Sequence, residues 1–249
     1  MTKRLLWAAT LAALALGSLS LGACSKAPDQ SASRDQVLAF LDKHPEVINE
    51  AAQRYELKRH QQAMAESAKA IALRRAAVEH DPRDFVANPG GKVTVVEFFD
   101  YRCPYCKAAL PQLQSLILLN KDIRFVFKEY PILPDSDGKV GVSLRASEAA
   151  LAAQRLGKYQ QVHDAMMAAR PLDDDGIVQA LRTAGIDPAA AAAVASADDA
   201  RHIKDVRDLA LAIGANGTPT FVVGDTMIEG NSMDQLALAI EQARKSAKS

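Results

Sequence analysis

Cys103 and Cys106 stand three positions apart, where the apolar run Val93-Thr94-Val95-Val96-Glu97-Phe98-Phe99 gives way to a helical pattern. This spacing at a strand-to-helix junction constrains the fold more than any other feature of the chain. The first four backbone N–H groups of a helix have no partner inside it, and the dipole is positive at that end. Both stabilise a thiolate over a thiol, so the first sulfur becomes nucleophilic near neutral pH. The second sulfur lies one turn further in, within reach of closing a disulfide. The pattern therefore implies thiol–disulfide exchange.

Two other uses of a Cys-x-x-Cys are weaker. Zinc needs four ligands, and the only other cysteine, Cys24, lies far upstream. His44, His60, His80, His163 and His202 are scattered without a paired spacing. A purely structural disulfide closing so small a loop would add little stability. A soft-metal site is a further alternative. It would make the chain a copper-handling or chaperone-like lipoprotein, but no Met-rich or His-rich tract accompanies the two thiols. Met166-Met167 reads as core or helix surface. No metal site and no cofactor is expected.

The N-terminus carries Lys3 and Arg4, then a mostly apolar stretch from Leu5 to Leu21, then Leu21-Gly22-Ala23-Cys24. A basic start, an apolar segment and small residues before a cysteine read as an export signal. Residues 1–23 are assigned as a lipoprotein-type signal peptide with Cys24 as the lipidation site. Ordinary cleavage nearby and an uncleaved anchor are the alternatives. In each case the body is exported to an oxidising compartment, and the expected location is a bacterial periplasm, anchored by lipid at Cys24.

Formal net charge is +0 at pH 7 and the charges are interspersed, which points away from nucleic acid. Residues 24–33 form a polar tether. Ser33 to Gln36 matches a capping box, and a short helix follows with Val37, Leu38, Phe40 and Leu41. Pro45 suits the first position of a second helix, which reaches about Glu79 on a loose apolar stripe including Ile71 and Val78. Such a helix cannot bury its apolar face alone. Residues 34–80 are thus either an oligomerisation arm, giving a homo-oligomer, or a helix lying on its own catalytic domain. Asp81-Pro82 and Asn88-Pro89-Gly90-Gly91 mark the boundary to a domain over 81–249.

That domain reads as α/β. Val93–Phe99 is a strand apolar on both faces. Cys103 to about Leu119 is a helix with Pro111 as an expected kink. Ile123–Tyr130 is a second strand, and a helical stretch over about 139–213 follows. Thr218-Pro219-Thr220-Phe221-Val222-Val223 returns to strand, Gly224-Asp225 turns into Met227-Ile228, and a helix from Met233 to about Lys245 closes the domain. Asp173-Asp174-Asp175 reads as a solvated loop and helix start. Glu97 alternates with Val93, Val95 and Phe99, so it points into an apolar layer, where a lone carboxylate is held neutral or shuttles protons.

The segment Val96-Glu97-Phe98-Phe99-Asp100-Tyr101-Arg102-Cys103-Pro104-Tyr105-Cys106-Lys107 resembles the active-site region of DsbA-like oxidoreductases. Gly217-Thr218-Pro219-Thr220-Phe221 is similar to the second signature of that family. With the N-terminal helices, the chain resembles the ScsC-like and Com1-like subgroup. The resemblance implies a thioredoxin fold with an inserted helical domain, preceded by an N-terminal helical arm, and a disulfide oxidoreductase or isomerase acting on exported proteins. It implies Cys103 as the attacking, accessible thiol, Cys106 as the resolving thiol, and Glu97 as a buried acid serving it. It also implies a cis bond before Pro219, with the Thr218 backbone pairing to the client chain. Lys128 is a candidate partner of Glu97 in proton relay. The expected partners are unfolded or misoxidised exported proteins and a DsbB-like or DsbD-like membrane protein. Pro104-Tyr105 replaces the Pro-His of the strongest oxidants, so a potential between about −270 mV and about −120 mV is expected.

Overall fold

The computed structural model describes residues 30–247, so Cys24 and the signal segment lie outside the described residues. The described residues divide into two compact units, with the boundary between Tyr55 and Glu56. The first contains α1 (Gln30–Lys43) and the start of α2 (Glu46–Leu73). The first helix begins at Gln30, so Ser33 lies inside it and does not cap it. Gln, Ala and Ser tolerate helix well enough for it to extend into the polar tether. Pro45 immediately precedes Glu46, the first residue of α2.

The second unit starts within α2. Instead of running to Glu79, that helix stops at Leu73 and resumes after Arg74 as α3 (Arg75–Glu79). The break lets Ile71 and Val78, both 0% exposed, turn onto one face of the sheet. The C-terminal part of the expected arm therefore belongs to the α/β unit.

Five strands form one sheet: β1 (Phe85–Ala87), β2 (Val93–Phe99), β3 (Ile123–Glu129), β4 (Thr220–Val223) and β5 (Thr226–Glu229). Their order is β1-β3-β2-β4-β5. The central pair β2 and β3 is parallel, with Glu97 opposite Phe127 and Phe98 opposite Lys128, and the other pairings are antiparallel. β2 is covered on both faces, as apolar side chains on both sides of the strand require. On one face Val93, Val95, Phe99, Phe127 and Phe221 pack with α4 (Pro104–Leu119), with most of the helical insert and with the C-terminal helix α10 (Met233–Ser246). On the other, Val96, Phe98, Val126 and Val222 pack with Ile71, Val78, Val206 and Ile213.

The insert comprises α5 (Gly141–Arg155), α6 (Tyr159–Ala168), α7 (Asp174–Thr183), α8 (Pro188–Val194) and α9 (Ala197–Ile213). Asp173 caps α7 by accepting from the Gly176 N–H at 2.8 Å, and Ser196 and Asp199 form a capping box on α9. Met166 and Met167 are core residues. α9 ends at Gly214, φ 85°, where a Cβ would lie 2.9 Å from the Ser67 hydroxyl; glycine meets both demands. α4 continues through Pro111.

Candidate active site

β2 ends at Phe99, and the next three residues aim the chain into α4. Asp100 fixes that turn. Its buried carboxylate accepts from the N–H groups of Arg102 (2.8 Å), Ile132 (2.9 Å) and Leu133 (3.0 Å) and from the Ser143 hydroxyl (2.9 Å). Its carbonyl accepts from the Cys103 N–H at 3.1 Å. A buried carboxylate with four donors is held firmly, so the loops after β2 and β3 are locked together behind the cysteine.

Cys103 is the extended N-cap residue of α4, with Pro104 at the first helical position. Both cysteines are reduced. The Cys103 thiol is held at about pH 6, first by a hydrogen bond from the Cys106 thiol, then by Thr218 and by the N–H groups of Cys106 and Tyr105, against the opposing cost of burial. Burial pushes the Cys106 thiol far above the ordinary range, helped by its bond to Cys103 and by the charge of Glu97. The two sulfurs thus have opposed acidities: one ionises easily, while the other keeps its proton. Cys103 is only 3% exposed and Cys106 1%, so the thiol expected to be the accessible one is deeply set. The Cys103 Sγ donates to the Thr218 carbonyl at 3.1 Å, and the Thr218–Pro219 bond is cis. Tyr105 is 64% exposed and contributes its N–H alone to the thiolate.

Glu97 is buried beside this pair, on the sheet face that carries α4. Burial raises its carboxyl to about 8, and the charges of Cys103 and Glu129 add to the shift. Glu129 is also 1% exposed, and burial raises it to about 8 against the pull of its hydroxyl donors. The Tyr159 and Tyr101 hydroxyls donate to Glu129 Oε1 at 2.7 and 3.0 Å, while Oε2 has no hydrogen-bond partner. His163 Nδ1 lies 3.2 Å from the Tyr101 hydroxyl, and burial lowers its imidazole to about 3. A neutral histidine, two tyrosines and a second carboxyl therefore stand behind Glu97. Sequence reasoning missed Glu129, which closes β3 where strand ends are ordinarily wet. It missed Asp100 also, although a carboxylate between a buried strand and the cysteine loop was a readable signal.

Lys128 does not meet Glu97. Strand alternation puts it on the other sheet face, where its Nζ lies 2.5 Å from Asp84 and donates to the Ala77 carbonyl at 2.6 Å. His202 Nε2 lies 3.0 Å from the other Asp84 oxygen. The lysine neutralises an acid from the segment before β1, so its expected role in relay is corrected.

Fold and thiol pair together define a thioredoxin-fold protein with a helical insert. A family model described as a DSBA-like thioredoxin domain matches residues 94–241; the chain belongs to that family. A thioredoxin-like oxidoreductase from Silicibacter pomeroyi DSS-3 is 38% identical, covering 69% of this chain and 98% of that one with a TM-score of 0.64. A linker-deletion mutant of Proteus mirabilis ScsC is 26% identical, covering 90% and 99%, with a TM-score of 0.64. BcfH of Salmonella enterica Typhimurium is 27% identical, covering 86% and 95%, with a TM-score of 0.72. The Na(+)/H(+) antiporter NhaA 3 of Salinispora tropica is 30% identical over 182 residues, 68% of this chain. The chain spans about a quarter of the length of the curated relatives it matches, 26% and 25%. No helix among the described residues is long and apolar enough to cross a membrane.

Proposed function

We propose that this chain is an exported thiol–disulfide oxidoreductase that oxidises or isomerises disulfides in periplasmic proteins through Cys103 and Cys106. The observation that carries the reading is the placement of Cys103 as the N-cap of α4, with Cys106 in the first turn and the cis Thr218–Pro219 segment 3.1 Å from the Cys103 sulfur. As an oxidant, the Cys103–Cys106 disulfide is attacked at Cys103 Sγ by a client thiolate. A client–Cys103 disulfide forms and Cys106 leaves as a thiolate, taking a proton. A second client thiolate then displaces Cys103, so the client is oxidised by two electrons and the pair reduced. Cys103 is the better leaving group because its thiolate is stabilised.

In the isomerase direction the Cys103 thiolate attacks a client disulfide, and Cys106 displaces stalled adducts once it has lost its proton. Glu97, poised near neutral pH, is the group placed to accept that proton. The cis Thr218–Pro219 segment offers its backbone to the client strand. A DsbB-like or DsbD-like membrane protein would reset the pair, and lipid at Cys24 would tether the chain to the membrane. Val37, Leu38, Phe40 and Ile48 are large apolar side chains exposed in the first unit; they support homo-oligomerisation through residues 34–80, which would favour isomerisation.

Cys106→Ala trapping tests the reading. Covalent adducts between Cys103 and exported proteins, together with activity in insulin reduction and scrambled-ribonuclease assays, are expected. Absence of adducts and of both activities, with stoichiometric Cu(I) binding, would favour a metal-handling lipoprotein.

A further inference from the structure

Beside the nucleophile lies a cleft of about 370 Å³ whose lining includes Arg102, Pro104, Lys107, Arg170, Pro171 and Leu172. Arg102 and Pro104 flank Cys103 in sequence, and Lys107 follows it by one helical turn, its N–H donating to the Cys103 carbonyl at 3.1 Å. The opposite wall comes from the loop between α6 and α7. No lining residue is acidic.

The three cations differ in how they are compensated. The Arg102 guanidinium is paired with Asp135. Lys107 is 9% exposed, yet its Nζ donates only to the main-chain carbonyls of Ala169 and Met166. Arg170 is exposed and donates to the Met167 carbonyl at 3.2 Å. The nearby Asp100 carboxylate is already committed to four donors. Burial, and then the charge of Arg170, lower the Lys107 amine to about 8. Lys107 and Arg170 are thus held together with main-chain carbonyls as their hydrogen-bond acceptors and no carboxylate bonded to either among the described residues, in a site bordered by Pro104, Pro171 and Leu172. Such a site gains by receiving an anion.

We infer that this cleft is a subsite for acidic client segments, taking an Asp or Glu side chain near the client cysteine that reacts with Cys103. The apolar walls accommodate the methylene stem of that side chain, and Lys107 and Arg170 receive its carboxylate. The preference would act on clients, setting which cysteines are handled fastest. It rests on the functional reading above and goes beyond it in naming a substrate class.

The test uses the full-length oxidised protein and three fluorogenic dithiol peptides identical except for two flanking residues, which are Asp/Glu, Asn/Gln or Lys/Arg. Oxidation by wild type at low salt is expected to follow acidic over neutral over basic, with kcat/KM about tenfold higher for the acidic than the neutral peptide. The ratio should fall toward one at about 0.5 M salt. Arg170→Gln should reduce it, and Arg170→Glu should invert it while leaving the rate for the neutral peptide within about twofold. Equal rates for the three peptides would overturn this inference alone. Oxidation of none of them would overturn the functional reading and the inference with it. Should the Arg170 variants fail to fold, the wild-type rates and their salt dependence still decide the matter.

Discussion

The Sγ of Cys103 lies 3.1 Å from the carbonyl oxygen of Thr218, the residue before cis Pro219. In the dithiol form that oxygen accepts the thiol proton. Once the sulfur ionises, the donor is gone and the carbonyl is free to accept an N–H from an incoming extended chain. The Cys106 thiol and the N–H groups of Cys106 and Tyr105 stabilise the thiolate together with Thr218. Ionisation of Cys103 and the availability of the Thr218 carbonyl are therefore coupled through this one contact.

Glu97→Gln keeps the volume but removes the proton acceptor. Cys106 keeps its proton more strongly than an ordinary thiol, so resolution of mixed disulfides at Cys103 should slow by about 100-fold. The lifetime of a peptide–Cys103 adduct, followed by quenched-flow mass spectrometry, measures this. An unchanged lifetime would remove Glu97 from the relay.

Glu129 makes reduced-state stability depend on pH. Its carboxyl rises from 4.5 to about 8 on folding, so the native state binds the proton more tightly than the unfolded chain. Stability from this group is fully present below about pH 4.5 and is lost as pH rises toward 8. Glu129→Gln cannot titrate. Between pH 5 and 7 wild type should therefore lose about 1.4 kcal/mol per pH unit relative to the variant in urea melts. Parallel curves would contradict it.

Lys128→Met leaves Asp84 buried without its cation. A loss of about 3–5 kcal/mol in unfolding free energy is expected. The pH at which Cys103 ionises should not move, because the lysine lies on the far face of the sheet. A matching shift in Cys103 reactivity would return Lys128 to the active site.

Tyr105→His adds a side-chain donor beside a thiolate that now receives only the backbone N–H of that residue. The reduced form gains, and the potential should become more oxidising by about 30 mV, a tenfold change against glutathione. A shift in the reducing direction would show that the dipeptide does not tune the pair in this way.

What the sequence revealed depended on whether a signal was local. The run Val93–Phe99 matched β2 residue for residue, because six apolar or β-branched residues among seven leave few alternatives. The hairpin at Gly224-Asp225 was equally legible, since its two-residue loop is one that strand twist favours. β1 was not: three residues between breakers are too few to show a period. Glu97 was placed in the core by alternation alone. Its partnership with Lys128 failed because sheet register, absent from the sequence, sets the lysine on Phe98's side. The Glu129–Tyr101–Tyr159 cluster joins strand, cysteine loop and insert, contacts that exist only once the chain is folded.

Thiol exchange by this pair requires Cys103 to be ionised at neutral pH while Cys106 keeps its proton. Alkylation of the reduced protein by iodoacetamide, with each cysteine followed separately by peptide mass spectrometry from pH 4 to 10, tests it directly. A Cys103 rate half-maximal near pH 6 and a Cys106 rate that stays low throughout are expected. A Cys103 rate still rising between about pH 8 and 9, as for an ordinary thiol, would contradict it.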